Sequence, residues 1–174
     1  QYVEKSEEWY SNFIHSGQGF MLGLFEFNAL AAPDDHGSKL IAKAAVTHDC
    51  ENLSHMGFHP QSDLSKHFTS YFKAVGQGAI ITGVGTRPEF QSLGAQQILM
   101  ASAIKRAVKE HDIELFAASI AAPNSASMKL FTDCGFELIE LQPNTYDNRL
   151  TFTALGRYSE MKDNQTTSMS EEQV

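Results

Sequence analysis

Val84-Gly-Thr-Arg-Pro-Glu-Phe-Gln-Ser-Leu-Gly-Ala-Gln-Gln97 is the stretch from which the rest of the chain is read. A β-branched, apolar run at 79–86 leads into it and reads as a buried strand. Pro88-Glu89 makes a turn and Gly94 sits in a loop. From 92 to 111 apolar residues recur at helical spacing: Met100, Ala103, Ile104, Ala107 and Val108. A strand that turns through a glycine loop into a helix aims unpaired backbone N–H groups and the positive end of the helix dipole at one place. Such a junction is suited to hold a phosphate.

Outward from this junction, 113–122 reads as a second buried strand. A strand–helix–strand unit pairs in parallel through a right-handed crossover. On the N-terminal side, 19–28 and 39–47 read as two strands flanking a turn cluster at 32–38. On the C-terminal side, 125–134 reads as a short helix closed by Gly135, and 136–141 with 149–155 as a hairpin around Pro143-Asn144. Residues 6–16 read as a helix with Ser6 as its N-cap. An insert at 50–78 carries Leu64, Phe68, Tyr71, Phe72 and Val75 at helical spacing over 63–75, which predicts a helix with its own small core.

The chain has 174 residues, 42% of them apolar, which suits one packed domain. We expect that domain to span 1–158, with a polar, mobile tail at 159–174. No apolar run reaches the length of a membrane span, and no signal peptide is visible. Thirteen basic and twenty-one acidic side chains give a net charge of -8. That argues against nucleic-acid binding and is compatible with a cationic substrate, although ordinary solubility charge is the plainer reading. Cys50 and Cys134 make no disulfide framework, so a reducing, cytoplasmic setting is expected.

A second block, Pro123-Asn-Ser-Ala-Ser-Met-Lys-Leu-Phe-Thr-Asp-Cys-Gly-Phe136, follows the second buried strand. Together the two blocks resemble the GNAT superfamily of acyl-CoA-dependent N-acetyltransferases. In that family the loop after the fourth strand reads Gln/Arg-x-x-Gly-x-Gly/Ala, and here it reads Gln91-Ser-Leu-Gly-Ala-Gln96. The later pattern Asn-x-x-Ala/Ser-x-x-x-Tyr-x-x-x-Gly-Phe is matched by Asn124, Ser127, Gly135 and Phe136. The resemblance covers about 19–155 and is specific from 80 to 136. The family's opening strand and first helix have no clear counterpart before Ser6, which implies a chain lacking them.

The implied fold is α/β (α+β): a mixed, mostly antiparallel sheet with one parallel, splayed strand pair and helices on both faces. The implied co-substrate is acetyl-CoA. Backbone N–H groups of Gln91, Ser92, Leu93, Gly94, Ala95, Gln96 and Gln97 would grip its pyrophosphate. Val84, Gly85 and Thr86 would pair with its pantetheine arm, with Asn124, Ser127 and Phe131 completing the site. Asn124 read by itself is a helix N-cap, and Gly83 and Gly85 read by themselves mark a bulge. Two positions depart from the family pattern. Gln96 stands where Gly or Ala is usual. Phe131 stands where a Tyr often protonates the leaving thiolate, and it has no proton to give. The implied reaction is acetyl transfer to a primary amine by direct attack, with the Thr86 backbone N–H polarising the carbonyl. The partner is a small-molecule or peptide amine, with no nucleic acid and no membrane; a homodimer is left open.

No carboxylate lies in the strand at 79–86, so the general base is sought nearby. His48, Asp49 and Glu51, just after the strand at 39–47, are the nearest by sequence, and histidine is the side-chain type suited to proton transfer near neutrality. Solvated loop positions are the plainer reading of all three. Cys50, His55, His59 and His67 do not fit a common structural zinc spacing, and no metal is expected. Cys134 reads as a buried structural thiol. Two alternatives stay open: a non-catalytic CoA-binding or interaction module of the same fold, and a dinucleotide-binding domain suggested by Gly83-Val-Gly85. The latter lacks the third glycine of its fingerprint.

Overall fold

The computed structural model describes residues 15, 19–26, 39–48, 78–143 and 150–161. Six strands form one sheet: β1 (Gly19–Glu26), β2 (Lys39–Thr47), β3 (Gly78–Thr86), β4 (Leu115–Ala121), β5 (Glu137–Pro143) and β6 (Leu150–Arg157). Among the described residues the framework also holds the α-helices α1 (Ala95–His111) and α2 (Ser125–Asp133), a 3-10 turn at Pro88–Phe90 and a helical turn at 158–161. The strand order is β1-β2-β3-β4-β6-β5. Every neighbouring pair is antiparallel except β3–β4, which is parallel. This is the mixed sheet expected from the sequence. It excludes the dinucleotide-binding alternative, which needs a mostly parallel sheet.

β3–α1–β4 and β4–α2–β5 both step in the same direction along the sheet. Right-handed crossovers therefore place both helices on one face. A hydrogen bond from Gln97 Nε2 on α1 to Asp133 Oδ2 at the end of α2, 3.2 Å, spans them. The core beneath is built largely from small residues: Ala42, Ala44, Ala79, Ala118 and Ala154 on the sheet, and Ala103 and Ala107 on α1. Small side chains on both surfaces let the helix lie close to the strands, while Met100, Phe116 and Ile120 fill the remaining space. Phe116 is fully buried, and burying a side chain of that size contributes about 1.5–3 kcal/mol. On the opposite face Ala45, Ile80, Leu115 and Ala117 are buried as well, so the central strands are covered on both sides. The helices expected at 6–16, apart from His15, and at 63–75 lie outside the described residues.

Each described helix ends by a local device. α2 begins at Asn124, whose Oδ1 accepts from the Ser127 N–H at 3.0 Å. It ends in a Schellman motif: Phe136 N–H donates to Phe131 O and Gly135 N–H to Thr132 O, both at 2.9 Å, with Gly135 at φ 88°. α1 ends with Asp112 in the left-handed region at φ 53°.

Candidate functional site

The junction between β3 and α1 differs in one respect from its sequence reading. The helix starts at Ala95, not at Ser92. Ser92 (φ 65°) and Gly94 (φ 74°) both take left-handed backbone conformations, which helical turns forbid. The result is a tightly turned loop, a cradle of backbone amides, ahead of the first helical turn. The first helical bond is Ile98 N–H to Gly94 O at 3.2 Å. The six preceding N–H groups, 92–97, find no acceptor among the described residues. They stand at the positive end of a 17-residue helix with no acidic side chain in its first turn. Six unsatisfied donors in a half-exposed cradle fit an oxyanion bearing several acceptor atoms, such as a pyrophosphate.

Three sides of this cradle are fixed. Lys39 at the start of β2 pairs with Glu89 and lies 5.5 Å over the Phe90 ring, pinning the 3-10 turn. The Lys39 ammonium, bonded to the Glu89 carboxyl, holds that carboxyl below the usual range. Gln97 bonds Asp133, which also pairs with Lys129 at 2.8 Å. Gln96 turns inward: its Oε1 accepts from Thr86 Oγ1 at 2.8 Å, and its Nε2 donates to Lys43 O at 3.3 Å. Its side chain therefore neither crowds the cradle nor points to solvent.

Beside the cradle the sheet opens. The β3–β4 ladder ends at Ile80–Ala117, although β3 runs on to Thr86 and β4 to Ala121. β3 bulges at Gly83-Val84, two residues opposite Ala44 alone, with Gly83 at φ 59°. The bond Arg87 N–H to Ile41 O, 2.9 Å, makes Ala42–Thr86 a non-hydrogen-bonded pair of the β2–β3 ladder. The Thr86 N–H and C=O therefore point away from β2, into the opening. The carbonyl there accepts from Gln91 Nε2 at 3.4 Å. An opening flanked by two half-paired strands suits an extended chain with its own amides, laid in as a surrogate strand.

Asn124 and Ser127 lie at the start of α2, next in sequence to the end of β4, where Asn124 Oδ1 and the Ser127 N–H make the cap described above. Phe131 is buried at 3% exposure, with its ring edge-on to Phe136. Cys134 is buried beside it, and burial, with a smaller push from the Asp133 charge, raises its thiol to about 11. A neutral thiol in this position has packing value and no nucleophilic character.

His48 does not join this group. Thr47 pairs with Ile80, six residues before Thr86, so His48 lies about 20 Å from the cradle at 3.3 Å per residue. Its ring instead meets His111, centroids 4.5 Å apart, at the far end of α1. Proximity in sequence to β2 misled because β2 runs antiparallel to β3 and leaves the sheet at the wrong end. Asp49, Cys50, Glu51, His55, His59 and His67 lie outside the described residues. Sequence reasoning missed the role of Gln96, whose partner Lys43 is 53 positions away and carries no local signal.

Comparison with known proteins agrees with this geometry. The Acetyltransferase (GNAT) family pattern matches residues 25–136. No curated protein matches the chain. Among solved structures, similar folds include the Vibrio cholerae spermidine N-acetyltransferase in complex with CoA and spermine: TM-score 0.61, 14% identity, 93% of this chain and 81% of that one. Arabidopsis thaliana NAA60 in complex with acetyl-CoA gives TM-score 0.64 and 13% identity, over 90% and 86% of the two chains. The Escherichia coli ribosomal-protein-S18-alanine N-acetyltransferase gives 0.56 and 14%, over 90% and 79%.

Proposed function

The chain belongs to the acetyltransferase (GNAT) family, and from that premise we propose that it transfers an acetyl group from acetyl-CoA to a primary amine. The observation that carries this reading is the coincidence of six acceptor-less amides at 92–97 with the opening between β3 and β4. The amides match a pyrophosphate. The opening matches an amide-bearing pantetheine arm, with Val84, Gly85 and Thr86 along one side. Asn124 has one amide nitrogen left for the ligand after capping α2.

Acetyl-CoA supplies an activated thioester: the amine nitrogen forms the new N–C bond, the C–S bond breaks, and the thiolate leaves. The chain's contribution is positioning and polarisation. Thr86 N–H, turned into the opening, donates to the carbonyl oxygen as charge gathers there. The bulge at Gly83-Val84 interrupts the β2–β3 ladder and re-aims β3 toward that point. β3 carries no carboxylate, so the amine proton passes to a group outside β3 or to water. Phe131 has no proton for the leaving thiolate, which is acidic enough to depart alone; a general acid typically contributes ~10²–10⁴-fold.

The net charge of -8 is compatible with a cationic acceptor. The Vibrio cholerae relative, solved with spermine, makes polyamines one class to try, and the Escherichia coli relative makes protein N-termini another. The decisive test is thiol release from acetyl-CoA in the presence of polyamines, peptide N-termini and lysine peptides. Turnover with one class supports the reading. The buried, hydroxyl-free Phe131 favours a second reading, a CoA-binding module without catalysis. Tight CoA binding with no thiol release across all three classes is its signature.

A further inference from the structure

We propose that Gln96 is a positioning residue that couples the two halves of the cofactor site. This rests on the assignment of CoA to the cradle and the opening. Gln96 serves both places at once. Its backbone N–H is the second of α1 and one of the acceptor-less donors. Its side chain holds Thr86, the residue whose own N–H faces the opening, and also Lys43 O on β2. One part-buried amide thus ties the start of α1 to the end of β3 and the middle of β2.

Without that tie, the covalent path from Thr86 to α1 runs through the loop at 87–94, which has left-handed turns at Ser92 and Gly94. Lys39 restrains only its first half, at Glu89 and Phe90. Gln97 ties α1 to α2, on the other side, and leaves β3 unrestrained. Gln91 Nε2 reaches Thr86 O from within that loop at 3.4 Å, and the side chain of Gln96 is the strut that joins Thr86 to the helix itself. A small residue at 96 leaves both sets of donors in place but lets their separation vary. A ligand that spans both sets senses that change, whereas a ligand that touches one set does not.

The test compares intact CoA with its halves, pantetheine and 3′-phosphoadenosine 5′-diphosphate, by calorimetry. Gln96→Met keeps length and helix propensity and removes both side-chain bonds. We expect it to weaken CoA about tenfold, the effect of two neutral hydrogen bonds, while the nucleotide half changes less than about twofold. Thr86→Val, which removes the hydroxyl, should cost CoA affinity alone but add little on top of Gln96→Met. Thr86→Ser, which restores it, should recover most of the loss. Melting curves on each variant separate these effects from unfolding. Equal losses for CoA and its nucleotide half, additive losses for the two substitutions, or no loss at all each overturn the proposal. Failure of the parent protein to bind either CoA or the nucleotide half overturns the site assignment itself.

Discussion

Phe131 and Phe136 meet edge-on, ring centroids 5.0 Å apart at 83°. They are the first and sixth residues of the Schellman turn that ends α2, the positions between which an apolar contact commonly accompanies that motif. The pattern Phe-x-x-x-Gly-Phe is thereby accounted for as helix termination, just as Asn124-x-x-Ser127 is accounted for as helix initiation. The second sequence block fixes a helix at both ends, and that helix packs against β5.

Phe131→Tyr tests whether this position belongs to the core or to the chemistry. At 3% exposure, a hydroxyl added to the ring is buried without a partner and costs about 1–3 kcal/mol. We expect a lower melting temperature and no gain in acetyl-CoA turnover. An unchanged melting temperature with faster turnover places the ring's para position at the opening instead.

Gly135 carries the backbone conformation that the turn requires. An added Cβ meets Met161 Cγ at 3.2 Å, and φ 88° is strained for any L side chain. Gly135→Ala should destabilise the protein by about 1–2 kcal/mol, read from denaturant midpoints, with α2 the first element to lose amide protection. No change in midpoint contradicts the Schellman assignment.

Cys134 gives the fold a defined alkaline sensitivity. Its thiol is raised to about 11 by burial and by Asp133, so the folded state keeps a proton that the unfolded chain gives up at about 9. The stability carried by the neutral thiol is full below pH ~9 and is lost as pH rises toward 11. The melting temperature of the parent should fall relative to Cys134→Ala across that window and run parallel to it at lower pH. Parallel curves through pH 11 contradict the burial argument.

Gly94 separates anion binding from folding. An added Cβ there meets only Gln97 Oε1 at 3.7 Å, so the obstacle to substitution is φ 74° and not space. Gly94→Ala should fold with a penalty of about 1–2 kcal/mol. Gly94→Glu should fold similarly but lose CoA affinity by about 100-fold or more, because its carboxylate takes up donors meant for phosphate and repels it. Unchanged affinity by calorimetry removes 92–97 from the site.

Much of this was legible in the sequence. β2 at Lys39–Thr47, the parallel β3–β4 pair and the hairpin of β5 and β6 follow from periodicity and turn residues. The glycine-bearing junction between β3 and α1, where we propose an anion binds, follows from Gly94 between a strand and a helix. The start of α1 did not, because Ser92 adopts a left-handed conformation that serine's identity does not announce. The place of His48 was in principle deducible: a strand antiparallel to β3 must end where β3 begins. The Gln96 tie was not, since side-chain bonds between elements 53 residues apart depend on tertiary placement.

The most direct test of the account is a backbone amide chemical-shift titration with CoA. The account predicts the largest shifts at the N–H groups of 92–97 and at Thr86, with smaller ones along Val84 and Gly85 and at Asn124. His48 and His111, at the far end of α1, should move least. Shifts centred on His48 and His111, with 92–97 unmoved, contradict the assignment of the cradle.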